Sequence, residues 1–243
     1  MKKKIVLIIQ ARNGSFRFPE KTIKKFFGKT LIEHILFRVK KVKKIDEIVL
    51  ATTQKKEDEI LRKIAIKNKV SFFCGSENDL VDRYYHAAKI FNAYYILRLP
   101  ADNPLPDYEE YDRLISYHIN SNNHFSSNIC NFMNNGYPDG IGVEIFNYSA
   151  LKRIFKNQKN KHFREHLALN FFDYSKNKIY KKFNFKVGTI KCPLKKSCID
   201  LVLDVNFKKD LVFIKKIYSF FKNKKYFSTE EIINWYKNYY LKN

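Results

Sequence analysis

With 243 residues, 45% of them apolar and 29% charged, the chain is long enough to bury a core without staples and too apolar to remain disordered. A formal net charge of +23 invites a nucleic-acid reading. However, 38 of the 47 basic residues are lysines, accompanied by 23 asparagines, whereas phosphate and base readers favour the bidentate guanidinium. The excess reads as drift toward A/T-rich codons, and no nucleic-acid partner is expected.

No apolar run approaches the roughly 18 residues that a membrane span needs, so no membrane partner is expected either. Three lysines precede Ile5-Val6-Leu7-Ile8-Ile9 in the manner of a signal peptide, but Gln10 and Arg12 stand where a small-residue cleavage site belongs. Residues 4–10 are instead predicted as the first strand of a cytoplasmic protein. Thr30-Leu31-Ile32-Glu33 is a capping box opening a helix with Leu31, Ile35, Val39 and Val42 on one face. Residues 47–53 read as a strand, 57–67 as a helix, 70–74 as a strand, 79–91 as a helix and 94–99 as a strand ending at Pro100. This order predicts a Rossmann-like α/β fold, a mostly parallel sheet with helices on both faces. From 116 to 147 the pattern weakens into short strands and a loop holding Gly136, Gly140 and Gly142. Residues 163–174 read as a helix, 182–190 and 201–205 as strands, and two lysine-rich helices close the chain. A single domain, 1–243, with a small acceptor or dimerisation lobe inserted at about 130–190, is the economical organisation.

Cysteines 74, 130, 192 and 198 form no CxxC or CxxH pair, so they read as idle thiols, and His34, His86, His118, His124 and His162 form no spaced ligand set. The loop after the first strand lacks GxGxxG, and Gly28-Lys29-Thr30 is no Walker loop because residue 23 is Ile. That first loop does gather Arg12, Arg17 and Lys21 around Gly14-Ser15, a set able to offset much of a triphosphate's charge. A solvated basic loop is the plain alternative. Charge is also uneven, +10 over residues 1–50 and −4 over 76–115, which suits a site holding a polyphosphate and a cation together. Asp102, just past an apolar strand, suits Mg²⁺, which takes one or two carboxylates plus phosphate oxygens, or else an Asx turn ahead of Pro104.

The string Ala11-Arg12-x-x-Ser15-x-Arg17-x-Pro19-x-Lys21 resembles the nucleotide-binding loop of the cytidylyltransferases that activate 3-deoxy-manno-octulosonate (KDO) and related acidic sugars, especially the branch of spore-coat polysaccharide biosynthesis protein F. Further segments follow in the same order: Asp46 through Thr53, Gly75-Ser76 through Tyr85, Asp102-x-Pro104-Leu105, Tyr137-Pro138-Asp139-Gly140 with Val143-Glu144, and Arg164-Glu165-His166.

This resemblance implies transfer of CMP from CTP to a ulosonic-type acid, with Mg²⁺ and release of pyrophosphate, for surface polysaccharide, by a homodimer. Arg12, Lys21 and Asp102 would be catalytic. Gln10, Ala11, Asn13, Gly14, Ser15 and Arg17 would join Arg12 and Lys21 on the phosphates, with Thr52, Thr53, Ser76 and Arg83 on base and ribose. The acceptor would meet Tyr137, Asp139, Glu144, Arg164, Glu165 and His166, with Arg164 on its carboxylate. His166 also reads as a structural histidine. The chain departs from the pattern at the second metal ligand, where Asn206 replaces the usual Asp and Asp204 lies two residues earlier on the same face. Ala101 replaces a Gly, and Phe18 a Leu. These departures keep open a non-catalytic nucleotide-binding or scaffold homologue, and a different acceptor.

Overall fold

A computed structural model describes residues 2–242. In chain order the strands are β1 Ile5–Gln10, β2 Lys25–Phe26, β3 Lys29–Thr30, β4 Glu47–Thr53, β5 Ser71–Gly75, β6 Tyr95–Pro100, β7 Phe125–Ser127, β8 Glu144–Asn147, β9 Phe172–Asp173, β10 Lys178–Ile179 and β11 Val187–Gly188. The helices are α1 Leu31–Val39, α2 Glu59–Lys67, α3 Leu80–Ile90, α4 Tyr108–Asn120, α5 Tyr148–Asn157, α6 Lys161–Glu165, α7 Lys208–Phe220 and α8 Thr229–Trp235. A seven-stranded sheet runs β11-β7-β8-β6-β1-β4-β5, and β8 alone is antiparallel to its neighbours. The predicted mostly parallel Rossmann-like sheet is therefore present.

β1 lies at its centre, so Ile5 through Ile9 are all buried, as a strand covered on both faces must be. Leu7 and Ile9 face one core with α1, α4 and α8, while Val6 and Ile8 face a second core with α3 and α5. Phe18 packs in the first of these cores, as its apolar character predicts. Glu33 accepts from the Thr30 backbone at 2.8 Å and Thr30 Oγ1 from the Glu33 backbone at 3.3 Å, so the capping box exists.

Several expectations past residue 103 need correction. α4, initiated by the Asp107 side chain, includes residues 116–120, which sequence assigned to the weak strand and loop region. α5 had no counterpart in the sequence reading, and it and β8 belong to the central sheet and core. The helix predicted over 163–174 stops at Glu165, because Asn170 Nδ2 donates to the carbonyls of Phe163 at 2.7 Å and Leu167 at 3.0 Å in place of the helical ladder. The strand predicted over 182–190 shrinks to β11, since Lys181–Phe183 forms a 3₁₀ turn and Asn184 is left-handed. Residues 201–205 are extended but lie outside the sheet, bridged to Asp139 through Val202. That position brings them into the site.

Candidate active site

A cavity of about 410 Å³ opens at the carboxyl ends of β1 and β6, and Gln10, Ala11, Arg12, Ser15, Arg17 and Lys21 all line it. Such a place, beyond the strand ends, is where open α/β sheets bind ligands. Arg83 reaches the cavity from α3, Asp102 follows β6, and Glu165 and His166 also line it.

Lys21 is the most firmly placed cation. It is buried, and its Nζ donates to the Val205 carbonyl at 2.8 Å and to Asp102 Oδ2 at 3.1 Å. Arg12 lies 3.7 Å from Glu77 Oε1, and the same oxygen accepts Lys55 at 2.8 Å. Arg17 Nη2 donates to Asn206 Oδ1 at 2.8 Å.

Two residues expected to cradle phosphate instead build the loop. The Asn13 backbone donates to Asp58 at 2.7 Å, and its side chain donates to the Glu57 carbonyl and accepts from Thr22 Oγ1, each at 2.7 Å. Buried and outside the cavity lining, Asn13 is an anchor for the turn, and neither it nor Gly14 lines the cavity. The backbone N–H of Ser15 is likewise committed to the Asn13 carbonyl at 2.8 Å, leaving its side chain to line the cavity.

Carboxylates gather opposite the cations. Gly140 has φ +85°, and a Cβ there would stand 2.6 Å from the Asp204 backbone nitrogen; only glycine lets the 139–140 turn approach residues 203–204 this closely. Asp139 and Asp204 thereby fall within electrostatic reach of each other and of Asp102. Burial and the Asp102 charge push the Asp139 carboxyl up. Burial, then Asp139, Asp102 and Asp210, push Asp204 up to about 6, against the opposing pull of Lys21. The Asn206 amide donates to Asp204 Oδ2 while receiving Arg17, and so bridges anion and cation. Asp210 accepts the backbone N–H of Asn206 at 2.9 Å and of Phe207 at 2.7 Å, fixing the start of α7. Ala101 is not among the described residues with positive φ, so its departure from Gly strains nothing.

The remaining expected residues lie elsewhere. Thr53 and Ser76 line an adjoining opening of about 530 Å³ that shares Glu77 with the cavity, and Thr53 Oγ1 donates to Asp58. Thr52 is wholly buried, and its Oγ1 is the one buried side-chain polar atom without a partner among the described residues. Tyr137 is buried with its hydroxyl on Glu110. Arg164 donates to Asp79 at 2.5 Å and to the carbonyls of Phe155 at 3.1 Å and Gln158 at 3.0 Å, and it does not line the cavity. Asp139 belongs with the carboxylates and Glu144 with Arg98, at 2.5 Å. Sequence reasoning missed Glu77 and Arg98, both of which line the cavity. An arginine inside the apolar run Tyr95–Pro100 was the available signal for Arg98.

Cations converging on strand ends across from a carboxylate define a site for nucleotidyl transfer. The family model described as cytidylyltransferase matches residues 6–234, and the chain belongs to that family of nucleotidyltransferases. It is similar to the uncharacterised protein MJ1063 of Methanocaldococcus jannaschii, 37% identical over 204 residues that cover 83% of this chain and 78% of that one. It is also similar to the spore coat polysaccharide biosynthesis protein SpsF of Bacillus subtilis, 29% identical over 219 residues, covering 88% and 86%. A solved cytidylyltransferase from Leptospira borgpetersenii superposes with a TM-score of 0.86 at 29% identity, over 97% of this chain and 94% of that one.

Proposed function

We propose that this chain is a Mg²⁺-dependent cytidylyltransferase, one cytoplasmic domain acting as a homodimer, that transfers CMP from CTP to an acidic sugar of ulosonic type for surface polysaccharide. The observation that carries this reading is the convergence of Arg12, Arg17 and Lys21 with Asp102 on one cavity. Transfer joins the acceptor's hydroxyl oxygen to the α-phosphorus and breaks the α–β anhydride, a reaction that asks the protein for positioning and charge neutralisation. Lys21, fixed by the Val205 carbonyl, presents its ammonium in place before substrate arrives, so little reorganisation opposes the transition state. Arg12 and Arg17 can exchange Glu77 and Asn206 for phosphate oxygens.

The donor set fits a hard cation. The charge of Asp102 is among those that push the Asp204 carboxyl up, and Mg²⁺ needs only one or two protein carboxylates beside water and phosphate. Among the described residues no group of three His, Cys, Asp or Glu side chains stands ready to enclose a metal. Held by Asp102 and Asp204, Mg²⁺ would neutralise charge on the triphosphate.

Thermal stability with Mg²⁺ and each of CTP, UTP, GTP and ATP tests the reading. A ligand at about 100 times its Kd adds about 2.7 kcal/mol, a rise of roughly 5–10 °C for a chain of this size. A CTP-selective, Mg²⁺-dependent rise with pyrophosphate release is expected; equal shifts that fade in salt would overturn it. Asn206, a neutral amide where the family pattern has a carboxylate, favours a second reading, a homologue that binds CTP without turnover. Selective binding with no pyrophosphate from any acceptor would identify that case.

A further inference from the structure

We propose that Arg98 reads the anionic group of the acceptor, and that a side cavity beyond it seats the acceptor's carbon chain. This inference rests on the proposed transfer to an acidic sugar and names the residue that selects it.

Arg98 lines both the nucleotide cavity and an adjoining cavity of about 390 Å³, and His166 is shared in the same way. Among the described residues it is the one Arg or Lys side chain that lines the second cavity. The guanidinium is held from two sides: Nε donates to Gln10 Oε1 at 3.1 Å and Nη1 to Glu144 at 2.5 Å. Glu144 stands opposite Arg98 across the β6–β8 ladder and also accepts the Tyr174 hydroxyl at 2.6 Å. Burial opposes the charge on Arg98, yet Glu144 outweighs it and raises the guanidinium pKa, so the cation persists. Nη2 donates no hydrogen bond to any described residue, and the side chain keeps 14% of its surface exposed. The arrangement is a guanidinium fixed by two of its nitrogens with the third left for a ligand.

An apolar pair of similar volume commonly stabilises a core at least as well as a buried ion pair. Retaining Arg98 and Glu144 where two cavities meet therefore calls for a task beyond packing. The other cations are accounted for. Lys21, Arg12 and Arg17 stand at the phosphate end, Arg83 is held by the carbonyls of Ser76 and Glu77, and Arg164 is held by Asp79 and two carbonyls. Ile129, Ala168, Leu169 and the Tyr174 ring give the side cavity an apolar wall. That combination suits a sugar monocarboxylate with a deoxy or acylated face, one anionic group against one guanidinium.

The test uses full-length protein saturated with Mg²⁺ and a CTP analogue carrying a methylene bridge between the α- and β-phosphates. Binding of 3-deoxy-manno-octulosonate, of N-acetylneuraminate and of their C1 methyl esters is measured by calorimetry. At least one acid should bind about 10- to 100-fold more tightly than its ester, the weight of a hydrogen bond to a charged group. Because Arg98→Ala alone would strand a buried carboxylate, the double variant Arg98→Met with Glu144→Gln removes both charges, and its melting curve reports whether it folds. Its preference for acid over ester should fall to about threefold or less, and Arg98→Lys should retain part of it. The inference is overturned if neither acid binds, or if the folded double variant keeps the full preference. A wild-type protein that fails to respond to the CTP analogue overturns the proposed function instead, whereas an intact nucleotide response without acid binding overturns only the role of Arg98.

Discussion

Asn206→Asp adds a carboxylate beside Asp204, which already feels Asp139, Asp102 and Asp210. The amide that donates to Asp204 is lost, and a hydrogen bond to a charged group contributes about 1.5–3 kcal/mol. Two unit charges 4 Å apart repel by about 4 kcal/mol at an effective dielectric constant near 20. Arg17, which would donate to the new carboxylate as it now donates to the Asn206 carbonyl oxygen, is exposed and returns only about 0–1 kcal/mol. With water screening most of the repulsion, the lost hydrogen bond sets the cost, and the metal-free protein should lose about 2 kcal/mol, a fall in Tm of roughly 4–8 °C. Magnesium reverses the sign, because the added carboxylate that destabilises the empty site strengthens it for a divalent cation. The assay is scanning calorimetry in EDTA and across a Mg²⁺ titration with CTP present, alongside pyrophosphate release. A lower Tm in EDTA, a larger rise with Mg²⁺ and a lower Mg²⁺ midpoint are expected. An unchanged Tm in EDTA together with an unchanged midpoint would refute the placement of this segment against the cation.

Asp102→Asn and Arg12→Ala should each lower turnover by about 10²-fold or more by removing preorganised charge, and near-normal turnover of Asp102→Asn would dismiss the metal assignment. Lys196 is buried between Asp107 at 2.9 Å, Glu109 at 2.8 Å and Glu110 at 3.2 Å. Lys196→Met leaves the buried Asp107 without its cation, while Glu110 keeps Arg113, and should cost about 3–5 kcal/mol, read from urea unfolding; a loss below about 1 kcal/mol would contradict the buried network. Burial, against opposing hydrogen bonds, lowers His34 and His118 to about 4 each. The unfolded chain therefore takes up protons between about pH 6.5 and 4 that the native state refuses, and stability falls as pH falls through that window, by on the order of 3 kcal/mol per histidine. Unfolding free energies at pH 7 and 5 should differ less in a His34→Gln, His118→Gln double variant than in the wild type, and equal differences would rule out the buried neutral histidines.

The alternating strands and helices through β6 were legible in the sequence because each is written in a local period, and the capping box at Thr30 because its partners are three residues apart. The cations Arg12, Arg17 and Lys21 were legible for the same reason, since one loop carries them. Beyond residue 103 the elements shorten, and Asn170 ends a helix by capturing carbonyls that no periodicity displays. Of the residues expected at the acceptor, Tyr137, Glu144 and Arg164 are engaged by the fold itself, through Glu110, Arg98 and Asp79. Arg164 and Asp79 are 85 residues apart, as Arg98 and Glu144 are 46 apart, and which carboxylate neutralises which arginine is settled only when the sheet closes. Composition and order in the chain determined the parallel half of the sheet, the cationic loop after β1 and the carboxylate at the end of β6. Tertiary packing decided which charged groups remain available to a ligand, since a charge withdrawn from water must find a partner wherever the fold supplies one.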